Sequence, residues 1–364
     1  MKIGILGGGQ LARMLALAGY PLGLDFIILD PDANAGAAPL GEHLQGAYDD
    51  EELLAQLAGK ADIVTYEFEN VPAQVAAYLG AHTKVYPPAN ALAIAQDRLL
   101  EKNFFRQLDI GTAPYAQINS LADLEQAMPQ IGYPAILKTR RLGYDGKGQA
   151  LIQTPDELPA AWAAMQNAPA IIEGFVEFQR EVSIIAARRP SGDICYYPLS
   201  ENRHRGGILR IAECRGQDPL QPLAESYVKQ LLEALDYVGV VALEMFDLNS
   251  RLLANEFAPR VHNSGHWSIE GAETSQFENH LRAILDLPLG STQPRGLAAM
   301  VNFIGNPPQP EHVLALNDAH LHLYAKAARK GRKVAHATVR SDNPETYRAV
   351  LQKLTDLAAG LDDS

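Results

Sequence analysis

Apolar runs and amphipathic segments alternate along the first part of the chain. Short apolar runs bounded by turn residues are typical of buried strands, and apolar positions at helical spacing predict helices that pack on them. The predicted order is strand 2–6, helix 10–18, strand 26–29, helix 49–58, strand 63–66, helix 71–79 and strand 85–87. Strands that alternate with helices favour a parallel sheet. We therefore predict a parallel βαβ domain over residues 1–88.

The pattern changes after residue 88. A long helix is predicted through residues 96–102, and most of the strands that follow have no helix between them. Predicted strands are 133–138, 150–152, 170–176, 180–188, 194–198, 207–212, 239–246 and 251–257, and predicted helices are 120–128, 155–165, 224–235 and 277–285. This mixture indicates an α+β domain over residues 89–289. A C-terminal domain over 290–364 is predicted to hold strand 298–304 and helix 344–357.

Charge and composition exclude several function classes. The formal net charge of −12 over 364 residues argues against general nucleic-acid binding, which depends on phosphate neutralisation. No apolar run approaches the roughly 20 residues that span a bilayer, and the N-terminus does not resemble a signal peptide. Cys195 and Cys214 suit a reducing compartment. We expect a cytoplasmic protein without a membrane or nucleic-acid partner.

A glycine-rich loop with flanking cations joins two predicted strands. Lys138 ends the first strand, and the loop over 143–149 contains Gly143, Gly146, Lys147 and Gly148. Glycine lets backbone N–H groups approach phosphate oxygens closely. By itself the pattern fits a phosphate-binding loop and a solvated hairpin tip equally well.

A second glycine motif lies near the N-terminus. Gly7, Gly9 and Ala12 with Asp30 match the dinucleotide-binding fingerprint, which alone would suggest a nicotinamide dehydrogenase. Glu67 and Asn70 follow the strand over 63–66, and ligands of open parallel sheets gather at the carboxyl ends of strands. These two residues are therefore predicted to face the same ligand, unless they cap the next helix.

Two carboxylates on a predicted hairpin suggest a metal site. Glu244 and Glu256 lie on apolar, alternating strands joined by a turn at 247–250, so their side chains could converge. Carboxylates plus Asn255 are the hard oxygen ligands that Mg²⁺ requires when phosphates complete its shell. The alternative is a surface salt-bridge pair, although burying unpaired carboxylates among apolar residues is costly.

Two further segments offer groups for anions. The polar loop over 258–267 contains Arg260, His262 and Asn263, which either bind an anion or hold the loop together. The basic stretch over 326–333 is compatible with a solvated hairpin tip or with a phosphate clamp.

Taken together, these motifs resemble a known superfamily. Lys138, the loop over 143–149, the segment 173–176, Glu181 and the pair formed by Glu244 with 255–256 are similar to the ATP-grasp ligases. More closely, segments 8–14, 66–71, 143–149 and 258–267 resemble the 5-(carboxyamino)imidazole ribonucleotide synthase family, and the resemblance covers nearly the whole chain.

The resemblance implies a fold and a reaction. The fold would be a Rossmann-like substrate-binding domain over 1–88, an ATP-grasp domain over 89–289 with a lid subdomain at about 112–176, and a small C-terminal domain over 290–364. The implied reaction couples ATP cleavage to carboxylation of aminoimidazole ribonucleotide by bicarbonate through carboxyphosphate, in purine biosynthesis. A homodimer, ATP and two Mg²⁺ ions are also implied.

The resemblance also implies roles for individual residues. Nucleotide contacts would come from Arg98, Lys138, Gly143, Tyr144, Asp145, Gly146, Lys147, Gly148, Gln149, Glu173, Gly174, Phe175, Val176, Glu181, His204, Asn255 and Glu256. Mg²⁺ would be held by Glu244 and Glu256, and catalysis would involve Arg260, His262 and Asp145. The ribonucleotide would meet Gln10, Leu11, Glu67, Tyr144, Lys147, Arg260, His262, Lys326, Arg332 and Lys333.

Three other functions remain compatible with parts of the sequence. One is another ATP-grasp ligase, such as the formate-dependent glycinamide ribonucleotide transformylase. A nicotinamide dehydrogenase fits residues 1–30, but the carboxylate pair and lid speak against it. A non-catalytic nucleotide sensor is disfavoured by intact Lys138, Glu244 and Glu256.

Overall fold

The structure of the protein is a computed structural model that describes residues 1–141, 143 and 148–362. The predictions for Tyr144, Asp145, Gly146 and Lys147 therefore lie outside the described residues. No helix in the described ranges is long and apolar enough to cross a membrane.

The N-terminal segment forms the parallel sheet that its alternation predicts. Its elements are β1 Lys2–Leu6, α1 Gln10–Gly19, β2 Asp25–Asp30, β3 Glu42–Gln45, α2 Glu51–Lys60, β4 Ile63–Tyr66, α3 Ala73–Gly80 and β5 Lys84–Val85. The strand order is β3-β2-β1-β4-β5. β3 escapes prediction because its single buried residue, Leu44, gives no apolar run. Leu6 lies opposite Tyr66 in register, so the turns that follow β1 and β4 are neighbours.

The predicted long helix through 96–102 is wrong, because the chain forms two helices there. α4 is Ala89–Ala95 and α5 is Arg98–Gln107. Asp97 between them has an extended backbone, and its carboxylate accepts hydrogen bonds from the N–H groups of Leu99 and Leu100. A side chain that caps a helix in this way starts a new helix instead of continuing the previous one.

A small antiparallel lobe follows. Its elements are β6 Tyr115–Ile118, α6 Leu121–Ile131, β7 Ala135–Thr139, β8 Gln149–Ile152, α7 Leu158–Ala164 and β9 Ala170–Gly174. The strand order is β6-β9-β7-β8. α6 and α7 cover one face, where Leu124 and Trp162 join Leu137 and Ile172 in a separate hydrophobic core. The glycine-rich loop joins β7 to β8, as predicted.

The rest of the chain builds one large antiparallel sheet with helices. Its elements are β10 Arg180–Arg188, β11 Ile194–Tyr196, β12 Ser200–Arg205, β13 Ile208–Cys214, α8 Gln221–Ala234, β14 Gly239–Asp247, β15 Leu252–Ala258, α9 Ser268–Gly271, α10 Gln276–Ile284, β16 Leu297–Gly305, α11 Pro310–Leu314, β17 Ala319–Leu323, β18 Arg329–Ser341 and α12 Pro344–Asp362. The order is β15-β14-β10-β12-β13-β16-β18-β17, with β11 beside β10.

This sheet continues across the predicted domain boundary at residue 289. β13 pairs with β16, with Ile211 opposite Val301, so the C-terminal strands extend the sheet of the preceding domain. The predicted boundaries stay predictions. The fold class, a parallel βαβ domain followed by α+β lobes, is confirmed by this architecture.

Candidate active site

A cavity of about 660 Å³ opens where the parallel sheet, α5, the small lobe and the large sheet meet. Its lining includes most of the residues that the sequence singled out, namely Gln10, Leu11, Glu67, Arg98, Lys138, Gly143, Gln149, Glu181, His204, Glu244, Asn255, Glu256, Arg260, His262 and Lys333. These residues come from segments up to 323 positions apart, between Gln10 and Lys333.

Arg98 connects the glycine-rich loop to the carboxylate hairpin. It is the first residue of α5, and its guanidinium donates to Glu256 Oε2 at 3.1 Å and to the carbonyl of Gly143 at 3.0 Å. Just before it, Asp97 accepts two hydrogen bonds from Arg140, at 2.9 and 2.7 Å. The start of α5 therefore anchors the base of the loop.

A buried carboxylate lies between two lysines beneath the cavity. Glu173 Oε2 is 3.4 Å from Lys102 Nζ and 3.2 Å from Lys138 Nζ. Burial opposes ionisation, but the two ammonium groups outweigh it and hold the pKa of Glu173 at about 2. Glu173 Oε1 has no hydrogen-bond partner among the described residues. The side chain of Glu173 therefore holds the ammonium groups of Lys102 and Lys138 in place, a function that the sequence did not suggest.

Two backbone N–H groups that follow Glu173 already donate hydrogen bonds within the protein. The N–H of Gly174 donates to the carbonyl of Pro114 at 2.9 Å, and that of Phe175 donates to Pro134 at 3.1 Å. Neither N–H group is therefore available to a ligand, and Val176 carries the next backbone donor along the segment. Nucleotide contacts by 173–176 stay a prediction.

α5 also holds the strand that carries Glu256. Glu101 Oε1 accepts the N–H of Phe257 at 2.7 Å, and Lys102 Nζ donates to the carbonyl of Asn255 at 2.6 Å. The peptide groups on both sides of Glu256 are thereby fixed from one helix. Burial, followed by the charge of Glu256, raises the pKa of Glu101 to about 8. Sequence reasoning missed Glu101 and Lys102, although both follow Arg98 at helical spacing.

Glu244 and Glu256 face each other across the hairpin, as predicted. They are directly opposite in the register of β14 and β15. Burial and the charge of Glu256 raise the pKa of Glu244 to about 7. Two nearby carboxylates that repel each other favour a divalent cation between them. The described residues contain no cluster of three or more His, Cys, Asp or Glu suited to a metal, so phosphate and water oxygens would have to complete the shell. The donor set fits Mg²⁺.

Four apolar side chains line part of the cavity, the apolar slot. The rings of Phe178 and Phe246 stack with centroids 4.9 Å apart and planes within 13°, and Ile136 and Leu209 also line the cavity. Flat apolar walls suit a purine ring. Phe246 is two residues after Glu244 on the same strand, so alternation alone could have identified it as a cavity residue.

A histidine and a glutamate that both line the cavity contact each other. His204 Nδ1 is 2.7 Å from Glu181 Oε2. Burial opposes protonation of His204, but the Glu181 carboxylate outweighs it and raises the pKa of His204.

The polar loop after β15 presents Arg260 and His262 to the same cavity. Arg260 Nε pairs with the carboxylate of Glu69, from the turn after β4. Gln276 fixes the backbone of His262, accepting its N–H at 2.9 Å and donating to its carbonyl at 2.6 Å. His262 Nε2 is 3.1 Å from Glu244 Oε1. Burial and the charge of Arg260 hold the pKa of His262 well below its usual range.

The glycine turn after β1 is occupied by the protein's own carboxylates. Glu67 accepts the N–H groups of Gly9 at 2.6 Å, Leu11 at 3.1 Å and Ala12 at 3.0 Å. Asp30 accepts that of Gly8 at 2.6 Å. A Cβ on Gly9 would lie 2.3 Å from Glu67 Oε1, so a larger residue there would displace the Glu67 carboxylate from these amides.

This arrangement removes the dinucleotide interpretation. A dinucleotide pyrophosphate needs the amides at the start of the helix, and Glu67 and Asp30 already fill them. The idea that Glu67 caps the next helix is also wrong, because it caps α1. A direct contact between Glu67 and a substrate stays a prediction.

The basic stretch reaches the cavity from β18. Lys333 lines the cavity, and Lys326 donates to the side chain of Gln10. Burial lowers the pKa of Lys326; the charge of Glu67 opposes this shift, and the charges of Arg332 and Lys333 add to it. Arg332 itself donates to the carbonyl of Ala327 at 3.4 Å. The three cations lie close enough to repel one another, as expected of an anion site.

Comparisons with known proteins match each part of the chain to a family. Residues 1–96 match the ribonucleotide synthetase preATP-grasp domain, residues 103–277 the ATP-grasp domain, and residues 298–350 the phosphoribosylaminoimidazole carboxylase C-terminal domain. The three matches follow the order of the parallel sheet, the α+β lobes and the C-terminal strands.

Whole-chain relatives agree with these domains. The N5-carboxyaminoimidazole ribonucleotide synthase of Pseudomonas aeruginosa is 53% identical over 98% of this chain and 99% of its own. The crystal structure of the synthetase from Thermus thermophilus has a TM-score of 0.94 and 53% identity, with 98% of each chain covered. The Aspergillus clavatus enzyme, solved with ADP and 5-aminoimidazole ribonucleotide, has a TM-score of 0.91 and 31% identity, covering 99% of this chain and 98% of its own. The chain therefore belongs to the N5-carboxyaminoimidazole ribonucleotide synthase family of ATP-grasp enzymes.

Proposed function

We propose that the protein carboxylates 5-aminoimidazole ribonucleotide with bicarbonate and ATP, releasing ADP and phosphate, as a step of purine biosynthesis. The observation that carries the proposal is that one cavity is lined by an apolar slot, by the cations Arg98 and Lys138, by a carboxylate pair and by the Arg260–His262 loop. Relatives that cover nearly the whole chain carry the name of this synthase.

ATP would lie with its adenine in the slot beside Phe178 and Phe246. Glu181 would accept the ribose hydroxyls, with His204 beside it, and Val176 would supply a backbone contact to the base. Arg98 and Lys138 would contact the phosphates beneath the loop that contains Gly143, Gly148 and Gln149. This arrangement is supported by the lining of the cavity, which includes both the aromatic pair Phe178–Phe246 and the cations Arg98 and Lys138.

Mg²⁺, as two ions, would be held by Glu244 and Glu256 with Asn255 beside them. The metal supplies neutralisation of phosphate charge when bound. Arg98 is well placed to orient the carboxylate of Glu256, because its guanidinium already contacts Oε2. Phosphoryl transfer of this kind depends on positioning and charge more than on covalent help from the protein.

Carboxylation would take place between the phosphates and the N-terminal domain. A bicarbonate oxygen attacks the γ-phosphorus, the bond to the bridging oxygen of ADP breaks, and carboxyphosphate forms. It decomposes to phosphate and carbon dioxide. The exocyclic amine of the ribonucleotide then forms a bond to the carbon of carbon dioxide and gives up a proton to the released phosphate. Arg260 and His262 would hold the bicarbonate-derived group, an assignment supported by their position beside Glu244.

The ribonucleotide would be bound from both ends of the chain. Gln10, Leu11 and Glu67 would face its base and ribose, and Lys326, Arg332 and Lys333 its phosphate. The contact between Lys326 and Gln10 supports this pairing of the two segments. Tyr144, Asp145 and Lys147, which would close over the substrate, lie outside the described residues, so their roles rest on the family resemblance.

The test measures radiolabelled bicarbonate fixed in product that is kept at alkaline pH, because the N-carboxylate loses carbon dioxide in acid, and the phosphate released, with and without 5-aminoimidazole ribonucleotide. We expect ribonucleotide-dependent fixation and ATP cleavage, and none with formate and glycinamide ribonucleotide. Glu256→Gln should lower turnover more than about 100-fold, whereas Glu273→Gln, at an exposed glutamate paired with Arg295, should not. No fixation in the presence of ATP, or formate-dependent turnover, would refute the proposal.

We further propose a cytoplasmic homodimer with two Mg²⁺ ions per site, as the family resemblance implies. Light scattering coupled to size exclusion tests the assembly: a mass near twice the 39.6 kDa of the chain is expected, and a mass of one chain contradicts it.

A further inference from the structure

The hydrogen bonds around His262 determine which of its ring nitrogens carries the proton. His262 precedes a short 3₁₀ turn over Asn263–Gly265, and its Nδ1 accepts the backbone N–H of Ser264 at 3.3 Å. A backbone N–H group can only donate. Nδ1 must therefore be the unprotonated nitrogen of a neutral imidazole.

A second donor reaches the same nitrogen from the core. Ser264 Oγ is 2.9 Å from Nδ1 and 2.7 Å from Ser183 Oγ. Ser183 Oγ accepts a hydrogen bond from the side-chain amide of Asn202 at 3.0 Å, so the hydroxyl proton of Ser183 points to Ser264. The proton of Ser264 then points to Nδ1. Ser183 and Ser264 are fully buried, which leaves no water to reverse this direction.

The other ring nitrogen faces the cavity. Nε2 is 3.1 Å from Glu244 Oε1, and His262 lines the cavity beside Arg260. With Nδ1 unprotonated, Nε2 carries the hydrogen. The side of the ring that meets the ligand is thus a donor, fixed from behind by the turn and by Ser264.

We propose that Ser264 is a positioning residue that locks His262 in the Nε2–H tautomer, so that Nε2–H, which points to Glu244 Oε1 when no ligand is bound, donates a hydrogen bond to the bicarbonate-derived group when that group binds, and His262 does not act as a proton acceptor. The identity of the group that accepts this bond rests on the proposed function; the tautomer does not. An imidazole that accepted a proton would have to place it on Nδ1, where two donors already point.

The tautomer is measured directly by nitrogen NMR of protein labelled at histidine, without substrate. His262→Asn identifies the His262 signals by their loss. We expect an unprotonated Nδ1 and a protonated Nε2; the reverse pattern overturns the proposal. Ser264→Ala removes the hydroxyl donor and leaves the backbone N–H, so it should raise the share of the other tautomer in part. Ser341→Ala, at a buried serine of β18 whose hydroxyl accepts the N–H of Asn343, should leave the signals unchanged. Identical signals in Ser264→Ala and the wild type overturn the role of Ser264.

Steady-state kinetics of His262 variants show whether this side chain acts as a hydrogen-bond donor or as a proton acceptor. His262→Gln keeps an N–H donor at the end of its side chain, and His262→Leu does not. A retained hydrogen bond of about 1.4 kcal/mol corresponds to roughly tenfold higher kcat/KM for bicarbonate in the glutamine variant. Ser264→Ala should raise the KM for bicarbonate with little change in that for ATP. Equal losses in the glutamine and leucine variants overturn the donor role. Failure of the wild type to fix bicarbonate would refute the proposed function and leave the NMR result standing.

Discussion

The buried carboxylate between Lys102 and Lys138 gives a quantitative prediction. Glu173→Gln keeps the shape of the side chain and removes its charge. The pKa of Glu173 is about 2 instead of the usual 4.5. At about 1.4 kcal/mol per pH unit, the difference corresponds to about 3 kcal/mol of stabilisation at pH 7. Breaking a buried ion pair by removing one partner costs a similar amount, about 3–5 kcal/mol.

The pH dependence of this stabilisation follows from the lowered pKa of Glu173. Because the folded pKa is depressed, the stabilisation is complete above the unfolded pKa of about 4.5 and is lost as the pH falls toward 2. The difference in unfolding free energy between Glu173→Gln and the wild type should be constant from pH 7 to about 5.5. It should fall to about half by pH 3.

The assay follows urea unfolding of the small lobe by tryptophan fluorescence. The chain contains two tryptophans, and in a Trp267→Phe background only Trp162 reports, from the lobe core. Glu125→Gln, an exposed change on α6 of the same lobe, is the matched control and should have almost no effect. A loss below about 1 kcal/mol at pH 7, or one that is the same at pH 7 and pH 3, would refute the reasoning.

Three other perturbations test separate parts of the site. Glu67→Ala removes the acceptor of the α1 amides and should lower the unfolding free energy by about 1–2 kcal/mol; an unchanged urea midpoint would contradict the capping role. Phe246→Ala opens the apolar slot and should raise the KM for ATP about tenfold, and an unchanged value would argue for another adenine position. Lys326→Ala should raise the KM for the ribonucleotide, but not for ATP, by about tenfold at low salt; equal effects on both substrates would place the phosphate elsewhere.

Local pattern accounts for much of the predicted fold. β10 and the β14–β15 hairpin have nearly the predicted limits, because alternation over eight or nine residues is a local signal. The same hairpin placed Glu244 opposite Glu256, since strands joined by a short turn can pair in few registers. The helix break at Asp97 was missed because helical periodicity continues on both sides of a single capping residue.

Parts of the candidate site were predicted where residues of suitable chemistry lie close together in the sequence. The glycine-rich loop, Lys138 and the polar loop with Arg260 and His262 were identified from residue type alone. Lys102 and Glu101 were not, because lysine and glutamate on a helix are usually exposed, and nothing local indicates that both are 2% exposed. Their importance depends on β15, about 155 residues later.

The sequence by itself determined the order of elements, the parallel and antiparallel halves, and the residue types of a site for phosphate and a divalent cation. The tertiary structure decided which polar groups are partners. Glu67 binds the amides of α1 and excludes a dinucleotide, Arg260 pairs with Glu69 from 191 residues away, and Ser264 orients His262. The physical reason is that a buried charge or donor must be paired where it is desolvated, and only the packing of distant segments determines which partner is there.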